Sequence, residues 1–259
     1  MLDLQRVTEI ALGIAEQAGE LALGYYGRAR VQHKPDGSLV TQADREAEEL
    51  IRDRLLSCFP DHAVFGEEFG LGGAEDSPYV WYIDPVDGTS NFVYGLPIWG
   101  VSLGLTYEER SIAGAFVMPA AGEVYWGWEG GGAWLNGTRV SVNDPGEMRP
   151  HDLISVSTLT LRLYELGFPQ KLRCLGSASH ALAAVAAGHF VAAIHDDWKP
   201  YDFGAALVMC REAGVVVTDD QGRPFDSFAG LDRQGQGPTL LAAGPSLHPQ
   251  VLAAMRRRS

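Results

Sequence analysis

Leu4, Val7, Ile10, Ala11, Ile14, Ala18, Leu21 and Ala22 recur at three-and-four spacing, which predicts a helix over 3–26. A loop through Pro35, Asp36 and Gly37 follows. A second helix is expected over 43–59, with Ala47, Leu50, Ile51 and Leu55 on one face and Pro60 ending it. From 79 to 142 the pattern changes to short apolar or alternating runs at 99–107, 112–118 and 124–128. These read as strands, and Asn136-Gly137 is a hairpin signal.

The polar stretch 143–147 (N-D-P-G-E) reads as a junction between 1–145 and 146–259. Beyond it strands and helices alternate. Strands are expected at 153–156, 172–175, 190–194, 215–218 and 239–243, and helices at 159–166, 177–187, 202–213 and 248–257. The first part is thus a helix pair plus an antiparallel sheet, and the second an alternating α/β unit.

The densest chemistry lies at 81–92, W-Y-I-D-P-V-D-G-T-S-N-F. Val80, Trp81, Tyr82 and Ile83 read as a buried strand. Pro85 has a fixed φ and no N–H, so the strand is expected to stop there. Asp84 and Asp87 then stand close together. They repel unless a cation sits between them, and a hard divalent ion such as Mg²⁺ suits an all-oxygen site. The bland alternative is an acidic turn. Gly88 and Thr89 would open a turn or helix whose N–H groups can cradle an anion, and a Cβ at Gly88 would crowd it.

Other acids have ordinary explanations beside functional ones. Glu67 and Glu68, on a turn flanked by Gly66 and Gly70, can simply be solvated. Thr41 and Asp44 fit a capping box, and Asp202 fits an N-cap. Gly176, Ser177 and Ala178 open a helix, which makes them either a cap or a ligand contact. His195 at a strand end reads as structural or solvated, and Lys34 as a surface residue.

Composition narrows the partners. The 259 residues carry a formal net charge of −13, which argues against nucleic acid and membrane surfaces. Any anionic ligand would have to meet local positive charge, which a bound metal would provide. Cys58, Cys174 and Cys210 show no paired spacing and are expected to be reduced, mostly buried thiols of a cytoplasmic protein. The N-terminus lacks a signal-peptide pattern, and no apolar run approaches the ~18 residues needed to span a bilayer.

The string D-P-V-D-G-T-S-N-F resembles the signature of the inositol monophosphatase family, the Mg²⁺-dependent, lithium-sensitive phosphatases. Leu39–Asp44, Gly66-Glu67-Glu68 and 198–214 (W-K-P-Y-D-F-G-A-A…E-A-G) resemble its other segments in the same order. The resemblance implies a layered α/β sandwich of two sheets and helix pairs, a homodimer, and an active site between the two subdomains. It also implies hydrolysis of a small phosphorylated metabolite, with inositol monophosphate first.

On this reading Glu67, Asp84 and the Val86 carbonyl hold one Mg²⁺, and Asp84, Asp87 and Asp202 a second. A third ion would sit near Glu67 and Glu68. Asp44 accepts a hydrogen bond from Thr89, and with Glu67 the pair orients the attacking water. Asp87, Gly88, Thr89, Gly176, Ser177, Ala178, His195 and Asp202 contact substrate. His195 departs from the family, where an acid commonly stands, and Tyr94 replaces a frequent histidine. Histidinol phosphate, fructose 1,6-bisphosphate and a phosphoadenosine phosphate therefore stay open as substrates. A catalytically idle binding or regulatory protein is a further alternative. A Ca²⁺ module is disfavoured, because no EF-hand loop is present.

Overall fold

The structure is a computed structural model that describes residues 2–34, 37–168, 170–233 and 237–258. Pro35 and Asp36 of the expected loop lie outside the described residues. Along the chain, helix α1 (Leu4–Leu23) leads to a hairpin of β1 (Val31–His33) and β2 (Leu39–Thr41), then to α2 (Gln42–Cys58). Next come β3 (Ala63–Gly66), β4 (Gly70–Gly73), β5 (Tyr79–Asp87) and the short α3 (Thr89–Tyr94). A meander of β6 (Gly100–Tyr107), β7 (Arg110–Met118), β8 (Glu123–Trp128), β9 (Gly132–Leu135) and β10 (Thr138–Val140) follows. Asn136 and Gly137 turn between the last two strands with positive φ, as an Asn-Gly hairpin does.

The later elements are β11 (Leu153–Val156), α4 (Thr158–Leu163), β12 (Tyr164–Leu166), β13 (Lys171–Arg173) and α5 (Ala178–Ala186). Then come β14 (Ala192–His195), α6 (Pro200–Phe203), α7 (Ala206–Glu212), β15 (Val216–Asp219), β16 (Leu240–Ala243), α8 (His248–Ala254) and β17 (Met255–Arg257).

These elements stack in layers. The eight-stranded sheet runs β10-β9-β8-β7-β6-β5-β3-β4, and the five-stranded sheet β13-β11-β14-β16-β15. The unbroken apolar run of β5 is explained by burial on both faces. Trp81 and Ile83 pack with Ile14, Ala18, Ile51 and Leu55 of α1 and α2. Val80 and Tyr82 point the other way, into the core shared with Leu182 of α5, Phe203 of α6 and Val208 of α7. The far face of the second sheet is covered through Leu247 and Val251 at α8.

Several boundaries differ from expectation. Strand β5 does not stop at Pro85 but continues to Asp87. Asp84 pairs with Ser102 and Asp87 with Gly100, so β5 carries one extra residue. Pro85 is tolerated because this bulge frees it from the ladder. The expected helix over 159–166 ends at Leu163, and the one over 248–257 ends at Ala254. The segments after them pair with each other as β12 and β17. Cys58 and Cys174 are exposed rather than buried, and only Cys210 is in the core. The run 101–105 is entirely core, within β6.

The expected helix over 202–213 is broken into α6 and α7 at Gly204 and Ala205. The break rests on a notch in the sheet made by the paired Gly104 and Gly114. A Cβ at Gly104 would come 2.0 Å from the Gly204 carbonyl carbon, and one at Gly114 2.5 Å from the Ala205 oxygen. Ser111 donates to the Gly204 carbonyl at 2.7 Å. This close approach sets where Asp202 stands. Gly104→Ala is expected to destabilise by about 2 kcal/mol or more, a fall of roughly 4–8 °C in Tm for a chain of this length. Thermal unfolding measures it, and an unchanged Tm would remove the notch as a constraint.

Candidate active site

The bulged end of β5 brings the two motif carboxylates to the edge of the large sheet, and α6 brings Asp202 to meet them. Oxygens of Asp84, Asp87 and Asp202 lie within 4.8 Å of one another. Asp84 and Asp87 are buried. Burial, and then the charges of Glu67, Asp87 and Asp202, push the Asp84 carboxyl well above the usual carboxylate range. Burial and the Asp87 charge do the same to Asp202, opposed by the Lys199 N–H. Asp87 is pushed up only to about 6, because hydrogen bonds from Ser177, Ala178 and Ser179 oppose its burial.

Those hydrogen bonds come from the start of α5. The Ser177 hydroxyl donates to Asp87 at 2.5 Å, and the N–H groups of Ala178 and Ser179 donate at 3.1 and 2.9 Å. A carboxylate at a helix start satisfies donors that the helix cannot. Ser177 and Ala178, expected as substrate contacts, are thus placed as partners of Asp87. Ser179 also donates to the Asp202 carbonyl, joining α5 to α6. Asp202 is not the N-cap. It is the third residue of α6, and its carboxylate accepts from the Lys199 N–H at 2.6 Å.

On the other side, Thr41 and Asp44 form the anticipated capping box. Asp44 Oδ2 accepts from the Thr41 N–H at 2.8 Å and its hydroxyl at 2.6 Å. The Thr89 hydroxyl lies 3.4 Å from Asp44 Oδ1 and 3.1 Å from the Val86 carbonyl. Burial raises the Asp44 carboxyl to about 6 against its bonds to Thr41. Gly88 has φ +90, and a Cβ there would meet the Ile98 carbonyl at 2.8 Å and that of Gly176 at 3.2 Å. Glycine is therefore required here by the protein's own packing.

Glu67 and Glu68 follow β3, and Lys34 bridges them, with Nζ 2.8 Å from Glu67 and 2.6 Å from Glu68. Lys34 is therefore not the solvated surface residue expected. The Glu67 charge and these hydrogen bonds raise its pKa despite burial. Burial pushes Glu68 to about 7, even with Lys34 bonded to it.

His195 is buried and neutral. Burial lowers its pKa to about 4, its Nε2 lies 3.3 Å from the Ser155 hydroxyl, and Phe203 packs against it edge-on. It lines a cavity of roughly 290 Å³ with Thr158, Gly176, Asp196, Asp197 and Asp202. A second cavity, of roughly 640 Å³, opens beside Lys34, Glu67, Glu68, Tyr201 and Asp202.

Two further contributors carried no expectation. Asn91 donates to the Ile98 and Leu175 carbonyls at 2.6 and 2.7 Å, tying the motif to the loop before α5. Glu48 accepts from the N–H groups of Glu68 and Phe69. Its place one helical turn after Asp44 was the available signal.

Fold and site together define a layered α/β protein built around a carboxylate cluster of the kind that holds hard divalent cations. The sequence profile of the Inositol monophosphatase family matches residues 3–258. A fructose-1,6-bisphosphatase/inositol-1-monophosphatase from Aquifex aeolicus is 35% identical over 273 aligned positions, covering 99% of this chain and 98% of that protein. A histidinol-phosphatase from Chlorobaculum parvum is 35% identical, covering 95% of each. The solved Thermotoga maritima IMPase superposes with a TM-score of 0.83 at 28% identity, covering 96% of each chain.

The chain belongs to the inositol monophosphatase family and is a phosphoric monoester hydrolase of that metal-dependent family. Among the described residues, no helix is long and apolar enough to cross a membrane.

Without a counter-charge the cluster repels itself. The folded state favours the protonated forms of Asp84, Asp87 and Asp202. Their contribution to cation-free stability is thus present at low pH and lost as pH rises from the ordinary carboxylate range through about 6 for Asp87, and higher for the other two. At neutral pH, Asp202→Asn is expected to stabilise the cation-free protein by about 1 kcal/mol or more and to abolish any rise in Tm that a divalent cation such as Mg²⁺ gives the wild type. Thermal melts in EDTA and in Mg²⁺ measure both. A wild-type Tm that ignores pH and Mg²⁺ would rule out the cluster as a cation site.

Proposed function

We propose that this chain catalyses Mg²⁺-dependent hydrolysis of a small phosphate monoester, with inositol monophosphate as the leading substrate. The observation that carries this is the convergence of Asp84, Asp87 and Asp202. Their largely buried, all-oxygen donor set suits a hard cation, and their raised pKa values mark charge that lacks compensation. Glu67, Asp84 and the Val86 carbonyl would hold one ion. Asp84, Asp87 and Asp202 would hold a second, and Glu67 with Glu68 would offer a weaker third position. When bound, Mg²⁺ supplies Lewis acidity toward the phosphoryl oxygens.

The chain's own groups handle the water. Thr89 presents a hydroxyl whose proton is directed to Asp44 or the Val86 carbonyl, which leaves its lone pair to orient the attacking water. Asp44 and Glu67 are the acceptors for the proton that leaves. The first-turn N–H groups at Gly88 and Thr89 lack intrahelical acceptors and would meet the phosphate. The alcohol portion would enter the smaller cavity, past Gly176 and His195, where Asp87 of the first part faces residues of 146–259.

That cavity favours a single phosphate. Asp87, Asp196, Asp197 and Asp202 line it, and among the described residues lining it none is Lys or Arg. A second phosphate, as in fructose 1,6-bisphosphate or a phosphoadenosine phosphate, would face these acids unpaired. The same acids support a second reading, an amino-alcohol monoester such as histidinol phosphate.

Phosphate release from inositol 1-phosphate, histidinol phosphate, fructose 1,6-bisphosphate and phosphoadenosine phosphate, each with Mg²⁺ and with EDTA, tests the proposal. Turnover of the first or second that EDTA abolishes is expected. Preference for a bisphosphate would overturn the substrate reading, and no turnover at all would favour an idle descendant. Thr89→Ala is expected to lower kcat on the order of 100-fold with KM little changed. Wild-type kcat in that variant would refute the water-orienting role.

A further inference from the structure

Glu48 is a fully buried acid that belongs to none of the carboxylate groups assigned above. It lies on α2 four residues beyond Asp44. Its Oε2 accepts from the Glu68 N–H at 2.7 Å, and its Oε1 from the Phe69 N–H at 3.1 Å and Arg52 Nε at 2.8 Å. Arg52 turns its remaining nitrogens to the Gly70 carbonyl and, at 3.5 Å, to that of Val64. The pair therefore holds the turn between β3 and β4 from inside, by the Glu68 and Phe69 N–H groups within it and by strand carbonyls on either side, Val64 of β3 and Gly70 of β4.

This grip accounts for Gly66. Its φ is not in the left-handed region, so backbone freedom is not the reason for a glycine there. A Cβ would lie 2.1 Å from Glu48 Oε1, and its three nearest atoms all belong to the Glu48 carboxyl group. The turn bears two adjacent carboxylates, Glu67 and Glu68, which meet at the Lys34 ammonium, and a fixed backbone is what keeps both aimed there. Charge-assisted hydrogen bonds donated to a buried acid hold those N–H groups more firmly than neutral acceptors would. Asp44 and Glu48 are one helical turn apart, about 6 Å along the axis of α2. One rigid helix thus carries both the partner of Thr89 and the anchor of the Glu67–Glu68 turn.

We infer that Glu48, held in place by Arg52, is a positioning residue that fixes the Glu67–Glu68 turn for divalent-cation binding. This rests on the reading of Glu67 as a cation ligand given above.

The test is Mn²⁺ binding to the full chain by calorimetry, without substrate, for wild type, Glu48→Gln, Gly66→Ala and Glu67→Gln. Glu48→Gln and Gly66→Ala are each expected to weaken Mn²⁺ binding on the order of tenfold or more while circular dichroism stays native. In Mg²⁺-saturated assays kcat is expected to fall with KM nearly unchanged. In wild type, the Glu68 and Phe69 amides are expected to exchange with deuterium as slowly as those of β3, with and without Mg²⁺.

A folded Glu48→Gln protein with wild-type Mn²⁺ affinity, beside a weakened Glu67→Gln, would overturn the role of Glu48 alone. Wild-type affinity in Glu67→Gln as well would overturn the cation reading together with it. If Glu48→Gln does not fold, Gly66→Ala and the wild-type exchange rates decide. Fast exchange at Glu68 and Phe69, or unchanged affinity in Gly66→Ala, would reject the inference.

Discussion

Negative charge gathered in a dry place is the constraint on which the rest of this molecule depends. Asp84 and Asp87 stand at the end of a strand buried on both faces, and Asp202 is brought against them. Ionised carboxylates in such a setting are unfavourable without compensation. Each acid around them accordingly has its own: Asp87 the start of α5, Glu67 and Glu68 the Lys34 ammonium, and Glu48 the Arg52 guanidinium. Asp84 has one N–H, that of Val86, and the charges of Glu67, Asp87 and Asp202 around it. This is the position to which the proposed function assigns a cation.

The layers serve that arrangement. Strand β5 needs cover on both sides, and α1 with α2 supplies one while α5, α6 and α7 supply the other. The same helices deliver chemistry at their ends: Asp44 from the start of α2, the donors to Asp87 from the start of α5, and Asp202 from α6. The glycine notch at Gly104 and Gly114 lets the α6–α7 break approach the sheet closely enough for Asp202 to reach Asp84. Core packing and site geometry therefore depend on the same few contacts.

Much of this was legible beforehand. The helix periods of α1 and α2, the Asn-Gly hairpin, the meander and the later α/β alternation follow from local spacing. So do the motif carboxylates, because consecutive residues of one strand end must lie together. What local pattern missed shares one cause. Pro85 stays in the strand because β6 accommodates a bulge, the 202–213 helix breaks because the sheet requires it, and β12 pairs with β17 from far along the chain. Lys34 looked solvated because its partners are more than thirty residues away.

The sequence by itself determined the family, which implied the layered class, and it singled out the acids of the proposed site. These reside in short-range periodicity and in motifs whose spacing is a local property of the chain. Only the tertiary structure decided which acid is compensated by what. It set Ser177 and Ala178 as partners of Asp87, Lys34 as the bridge between Glu67 and Glu68, and His195 as a buried neutral ring. The reason is physical: pKa, hydrogen bonding and charge pairing depend on burial and on distances of a few ångströms between segments remote in the chain, and no residue pattern carries those distances.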